Sequence, residues 1–201
     1  MPYGNANAGM RVSSIDMTNR IAVPRPTTGV LRLRPALRGR GFVVGIVDAA
    51  GPDTNGFAPR DRVAWRDTGE ELGDLVLREQ RDVLGVPRWI SDEQVVSYLG
   101  AGLIARALVR ARPFGRGDDV RVVSADPLVA EMTAAWARSL GARIVDSAAD
   151  LAIHDDVRLR RTVLTGHGKL AEAAVEVFQA IRRGVFDEVE PIPGASSRVA
   201  A

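Results

Sequence analysis

The sequence contains no cysteine, which excludes disulfides, thiolate zinc sites, iron–sulfur clusters and cysteine nucleophiles. It has two histidines, His154 and His167, which leaves little for a histidine-based metal site. A long apolar run is also missing. The best stretch, Val95 to Val109, is broken by Ser97 and Arg106 and falls short of the roughly 20 residues that span a bilayer. The opening MPYGNANAGMRVSS has no apolar core segment, so no secretory signal is expected. These absences together predict a soluble, cytoplasmic protein with no membrane partner.

What is present is ordinary for a globular chain. Of 201 residues, 46 % are hydrophobic and 26 % charged, enough for one substantial domain or two small ones sharing a core. The isoelectric point is near 9.6, yet the net charge is only +2 because 25 acids offset 27 bases. Lys169 is the single lysine, and the arginines alternate with acids, as in RDRVAWRDTGEE. No basic stripe forms, so nucleic acid is not an expected partner.

Along the chain the pattern changes character once. VLRLR suggests a short strand with one buried face, PALRGRG a connector, and FVVGIVDAA a β-branched strand with a glycine inside it. DRVAW resumes as a strand, and Leu75 to Leu77 and Val83 to Leu84 suggest two more. Short strands at this spacing predict a compact barrel or sandwich. From Ser91 the chain turns helical: Ser91 with Gln94 three residues on forms a capping-box pattern ahead of Val95, Leu99, Leu103 and Ala107. Gly100 and Gly102 inside that helix predict close packing against another backbone. DVRVVSA, PLVAEMTAAWARSLGA and ARIVDS then read as strand, helix and strand. The helix carries Leu128, Met132, Ala135, Trp136 and Leu140 on one side. A further helix, KLAEAAVEVFQAIRRG, precedes VFDEVEPIP.

Four of these segments, in order, resemble the zinc-free quinone oxidoreductase branch of the medium-chain dehydrogenase/reductase superfamily. They are GFVVGIVDAAGPDTNGFAPRDRVAW, VPRWISDEQVVSYLGAGLIARALVR, DVRVVSADPLVAEMTAAWARSLGARIV and GHGKLAEAAVEVFQAIRRGVFDEVEPIP. The resemblance implies an α/β protein: a GroES-like β-barrel domain packed on a Rossmann domain, with substrate and NADPH between them. Its implied division is an arm over 1–20, a barrel domain over 21–110 plus 169–201, and a much-reduced Rossmann-type βαβ remnant over 111–168. It also implies pairing into a homodimer.

Three departures from the family pattern shape the expected function. Pro127, Leu128, Val129 and Ala130 stand where the family's nucleotide-loop glycines belong, and Pro127 removes an amide donor. Asp126 and Glu131 place negative charge there, favourable for the helix itself. Asp146 falls where a ribose-binding acid lies. The residues after ARIVDS leave room for one more short strand at most and not for a second βαβ half, so the point where strand order reverses is expected to be missing. The long substrate-side segment of the barrel is absent, Phe42 falls where relatives carry a glutamate, and Arg60 replaces a glycine.

No cofactor is therefore expected, with NADPH as the alternative. The reading is of a small-molecule enzyme doing acid–base chemistry, of isomerase, cyclase or dehydratase type, on an unsaturated carbonyl-like substrate. An NADPH-dependent quinone or enone reductase and a non-catalytic binding or assembly protein are the two alternatives. Candidate catalytic residues are Asp67, Tyr98, His154 and His167; candidate substrate-binding residues are Trp65, Asp126 and Glu131.

Overall fold

Alternating apolar residues from Val30 onward begin a strand that does not stop at Arg34. The computed structural model, which describes residues 25–155, 157–165, 169–191 and 197–199, extends β1 over Val30–Arg38. The arm over 1–20 and His167 lie outside the described residues. Strands β2 (Phe42–Ala50), β3 (Arg62–Arg66), β4 (Val76–Glu79) and β5 (Val83–Gly85) follow, then α1 (Asp92–Ala111). Next come β6 (Asp119–Val123), α2 (Pro127–Ser139), β7 (Arg143–Ile144), β8 (Leu151–His154), α3 (Val157–Thr165), α4 (Leu170–Arg182) and β9 (Ser197–Arg198).

The first five strands form an antiparallel sheet in the order β4-β1-β2-β3-β5, with β9 added to β1. The expected connector at Pro35 is strand instead. Pairing with β4 covers Val30 to Leu33 and pairing with β9 covers Leu37 and Arg38, so Pro35 sits in the gap. It also adjoins a register shift in the β1–β2 ladder, a place where a residue lacking N–H is tolerated. The sheet is curled, and its central strands are buried on both faces. Leu31, Leu33, Val43, Val63 and Trp65 pack inside the curl. Phe42, Val44 and Ala64 face outward under Val95, Leu99 and Leu103 of α1 and Val177 and Phe178 of α4.

Helix α1 is the axle of the molecule. Ser91 accepts the Gln94 N–H while the Gln94 side chain accepts the Ser91 N–H, the reciprocal cap its sequence predicts. At Gly100 an added Cβ would stand 3.1 Å from the Arg40 carbonyl oxygen, and at Gly102 only 2.7 Å from Val177 Cγ1. One glycine thus admits a backbone and the other a side chain.

The remaining strands form a parallel sheet in the order β7-β6-β8. The chain goes from β6 to β7 on one side and returns to β8 on the other, so strand order does reverse at β6. The expectation that this point is missing was wrong: the one further short strand for which the residues after ARIVDS leave room, β8, pairs on the side of β6 opposite β7. The unforeseen α3 follows it, and its Leu159 joins the core under α1. Leu140, expected on the packed side of α2, caps its C-terminus and is 54 % exposed. No described helix is long and apolar enough to cross a membrane.

Candidate functional site

In open α/β sheets ligands bind beyond the carboxyl ends of the strands, where strand order reverses. Here that position faces the antiparallel sheet across a cleft of about 140 Å³. Its walls are Phe42, Ala101, Ile104, Leu128 and Val129, with Arg40, Arg66, Asp67 and Asp126 among its polar groups.

The α2 end of the cleft is closed by the chain's own acid. Asp126 is the N-cap, and its Oδ1 accepts the N–H groups of Leu128 at 3.1 Å and Val129 at 3.4 Å. Its Oδ2 faces Arg40 Nη2 at 3.5 Å and Arg160 Nη1 at 3.7 Å. Arg160 reaches over from α3 and holds Asp155 with Nε at 2.8 Å from Oδ1, and Nη2 also bonds Oδ2. Ser124, just past β6, donates its hydroxyl to Asp155 at 2.6 Å and accepts the Asp126 N–H. The Arg160 guanidinium, with help from Ser124, holds the Asp155 carboxyl below the usual carboxylate range. The carboxyl ends of β6 and β8 are thus joined by a polar latch.

The sequence candidates are scattered relative to this cleft. Asp67 borders it, but Arg38 holds both of its oxygens, at 2.6 Å and 2.5 Å, and the Gly69 N–H adds a third bond. That grip, led by Arg38, lowers its pKa, which makes Asp67 a turn-fixing ion-pair partner and a weak base. Trp65 does not border the cleft: it is 1 % exposed inside the curled sheet, paired in register with Val43. Tyr98 lies on another side of α1, donating its hydroxyl to the Val189 carbonyl at 2.9 Å. Burial first, then Asp187 and Glu190, push its pKa up.

His154 ends β8 on the exposed face of the parallel sheet, opposite Val123. Its neighbour Asp155 turns instead to Ser124 and Arg160. Glu131 is an exposed residue of α2 over a separate groove with Asp146, beyond the capping turn. Of the candidates, only Asp67 and Asp126 reach the cleft. Sequence reading missed Arg40, Ser124 and Arg160. Only Ser124 left a local signal, its two-residue spacing from the capping Asp126.

No protein-family model matches the sequence, and no curated protein matches it. Solved structures do match by fold. A mycobacterial quinone oxidoreductase aligns with a TM-score of 0.51 and 24 % identity, covering 72 % of this chain and 57 % of its own. A Pseudomonas syringae quinone oxidoreductase gives 0.52 and 21 %, over 72 % and 57 %. The Escherichia coli quinone oxidoreductase, solved with NADPH, gives 0.52 and 15 %, over 77 % and 50 %. The chain has the fold of the quinone oxidoreductases. It spans half to little more than half the length of these proteins, and its parallel sheet has three strands among the described residues.

Proposed function

We propose that this chain is a shortened quinone oxidoreductase relative that performs cofactor-independent acid–base chemistry in the cleft, on a small unsaturated carbonyl-like substrate. In this reading the antiparallel half is a GroES-like barrel and the parallel half a reduced Rossmann unit. The reaction is of isomerase, cyclase or dehydratase type, in which a proton is moved and no hydride is needed.

The observation that carries the reading is the Asp126 carboxylate at the start of α2. A pyrophosphate binds there through bare amides approached closely by glycine backbone. Asp126 takes two of those amides, and the next residue, Pro127, has none to give. A carboxylate already on the helix terminus repels a phosphate at the same point, so the residues present do not fit NADPH. Of the two cleft carboxylates, Asp126 keeps the freer oxygen, its nearest cations standing at 3.5 Å and 3.7 Å. It is the acid–base residue of this proposal. Pairing into a homodimer belongs to the same reading, supported by the open edges of β7 and β8.

The reversal of strand order at β6 favours a second reading, an NADPH-dependent quinone or enone reductase. Thermal-shift and calorimetric titrations with NADPH and NADH separate the two. Cofactor-independent chemistry expects no saturating stabilisation up to millimolar nucleotide; saturation at micromolar concentration overturns it.

A further inference from the structure

Two further grooves lie side by side, and neither shares a residue with the cleft. The first runs between α1, the C-terminal end of α2 and α4, with Arg106, Arg110, Trp136 and Glu176 among its walls. The second runs between α2, the end of β7 and the turn after α4, with Ala134, Ile144 and Val189 among its walls. Ser139, Arg183 and Val185 line both and form the ridge that divides them.

The two grooves carry opposite charge. In the first, Arg106 holds both oxygens of Glu176, at 2.8 Å and 2.7 Å, so the carboxylate is already engaged where Arg110 reaches it at 2.8 Å. Apart from Arg183 on the ridge, two guanidinium groups against one carboxylate leave an excess of one positive charge. The Arg110 side chain is 62 % exposed. In the second groove Glu131, Asp146, Asp187 and Glu188 stand against Arg138, an excess of three negative charges. None of those four acids has an ion pair among the described residues.

A two-fold axis along the ridge sets the first groove of one copy on the second groove of the other, twice, so opposite charges meet at both contacts. Eleven residues line the first groove and sixteen the second, three of them shared, so the flank presents 24 residues. That matches the roughly 20–30 residues a side of a standard protein interface. Leu140, in the wall of the first groove, is 54 % exposed, and Val175, on the same stripe of α4 as Gln179, is 56 % exposed. Such pairing covers both of these apolar side chains. We propose that this flank is where two copies of the chain pair, the basic groove of each seated on the acidic groove of the other. The proposal rests on the chain being a homodimer and names the surface that makes it one.

Sedimentation equilibrium of the whole chain tests this with two oppositely charged variants. Arg110→Glu turns the first groove net negative, and Glu131→Arg with Glu188→Arg turns the second net positive. All three positions are exposed, so unchanged far-UV circular dichroism is expected. Wild type is expected to dimerise, at least about tenfold more weakly at about 1 M salt than at about 0.1 M, as the Debye length falls from about 10 Å to about 3 Å. Each variant alone is expected to stay monomeric where wild type pairs. An equimolar mixture of the two is expected to restore the dimer, because the mixed pair has opposite charge at both contacts. Arg110→Gln, which removes the charge and keeps the bulk, is expected to weaken pairing several-fold. Wild-type pairing unmoved by salt and by every variant places the interface elsewhere: the homodimer stands and this surface falls. Arg110→Gln pairing like wild type, or charge variants that stay monomeric when mixed, overturns the proposal as well. A wild type that is monomeric at every concentration overturns both the surface and the homodimer.

Discussion

The two sheets of this molecule are stabilised in different ways. In the antiparallel sheet, β2 and β3 are buried on both faces, Val43 and Trp65 inside the curl and Phe42, Val44 and Ala64 under the helices. In the parallel sheet Val120 and Ile153 pack beneath α1, but Arg121, Val123 and His154 on the other face are exposed. Parallel sheets normally have both faces covered. Shape complementarity therefore defines the first half, whereas the second depends more on the polar latch across the strand ends. Packing faults should hurt the antiparallel sheet most, and charge faults the parallel one.

The largest expected effect is Gly45→Val in β2. A Cβ there would stand 2.2 Å from the Arg34 carbonyl oxygen and 3.0 Å from the Trp65 ring, and the backbone oxygen cannot step aside. Overpacking at such a point costs about 3 kcal/mol, to be read as a fall in the urea midpoint. A loss under about 1 kcal/mol would mean the sheet yields more than its double burial implies. The matching fault in the other half is Arg160→Met, which leaves Asp155, 5 % exposed, without its cation. Breaking a fully buried pair costs roughly 3–5 kcal/mol, and Arg160 is partly exposed, so about 2 kcal/mol is expected. The latch also carries a pH signature. The folded pKa of Asp155 is depressed, so its stabilisation is present above the unfolded value near 3.9 and lost as pH falls through the folded one. The gap between wild type and Arg160→Met should therefore close as the buffer is acidified below about pH 4. A gap that stays constant would remove the latch from the account.

The contrast also explains what could be read from the sequence. The Ser91–Gln94 cap, β2 and α2 are written in neighbouring residues, through a three-residue spacing, a β-branched run and an apolar periodicity. Pro35 misleads because its tolerance depends on a gap between β4 and β9, two strands far from it in sequence. Helix α3 is obscured by Arg158, Arg160 and Arg161 among its nine residues, and one of those arginines is the latch. The site suffers most. Asp126 is visible as a cap before Pro127, but its neighbours Arg40 and Arg160 come from elements that only the fold brings together. Tyr98 and Trp65 had the right chemistry for a site, yet Tyr98 bonds the Val189 carbonyl and Trp65 is enclosed in the sheet interior, its indole N–H without a hydrogen-bond partner.

The smallest predicted effect is a gain, at the one loop position where resemblance and geometry meet. The resemblance implies a glycine where Arg60 stands, and the φ of Arg60 is 76°, in the left-handed region that disfavours any residue with a Cβ. The conformation is held from outside, because the Arg60 N–H donates to the Val47 carbonyl at 2.8 Å and the Val47 N–H to Asp61 at 2.9 Å. The strain is of order 1 kcal/mol, and glycine would relieve it. Glycine also loosens the unfolded chain, which offsets about half of that relief. Arg60→Gly should therefore raise stability by about 0.5 kcal/mol without altering ligand binding, since Arg60 does not line the cleft. The sharper form of the test pairs Arg60→Gly with Arg60→Ala, which keeps the Cβ and removes only the guanidinium. A gain in the first variant and none in the second assigns the cost to the backbone. Equal gains would assign it to the arginine's charge.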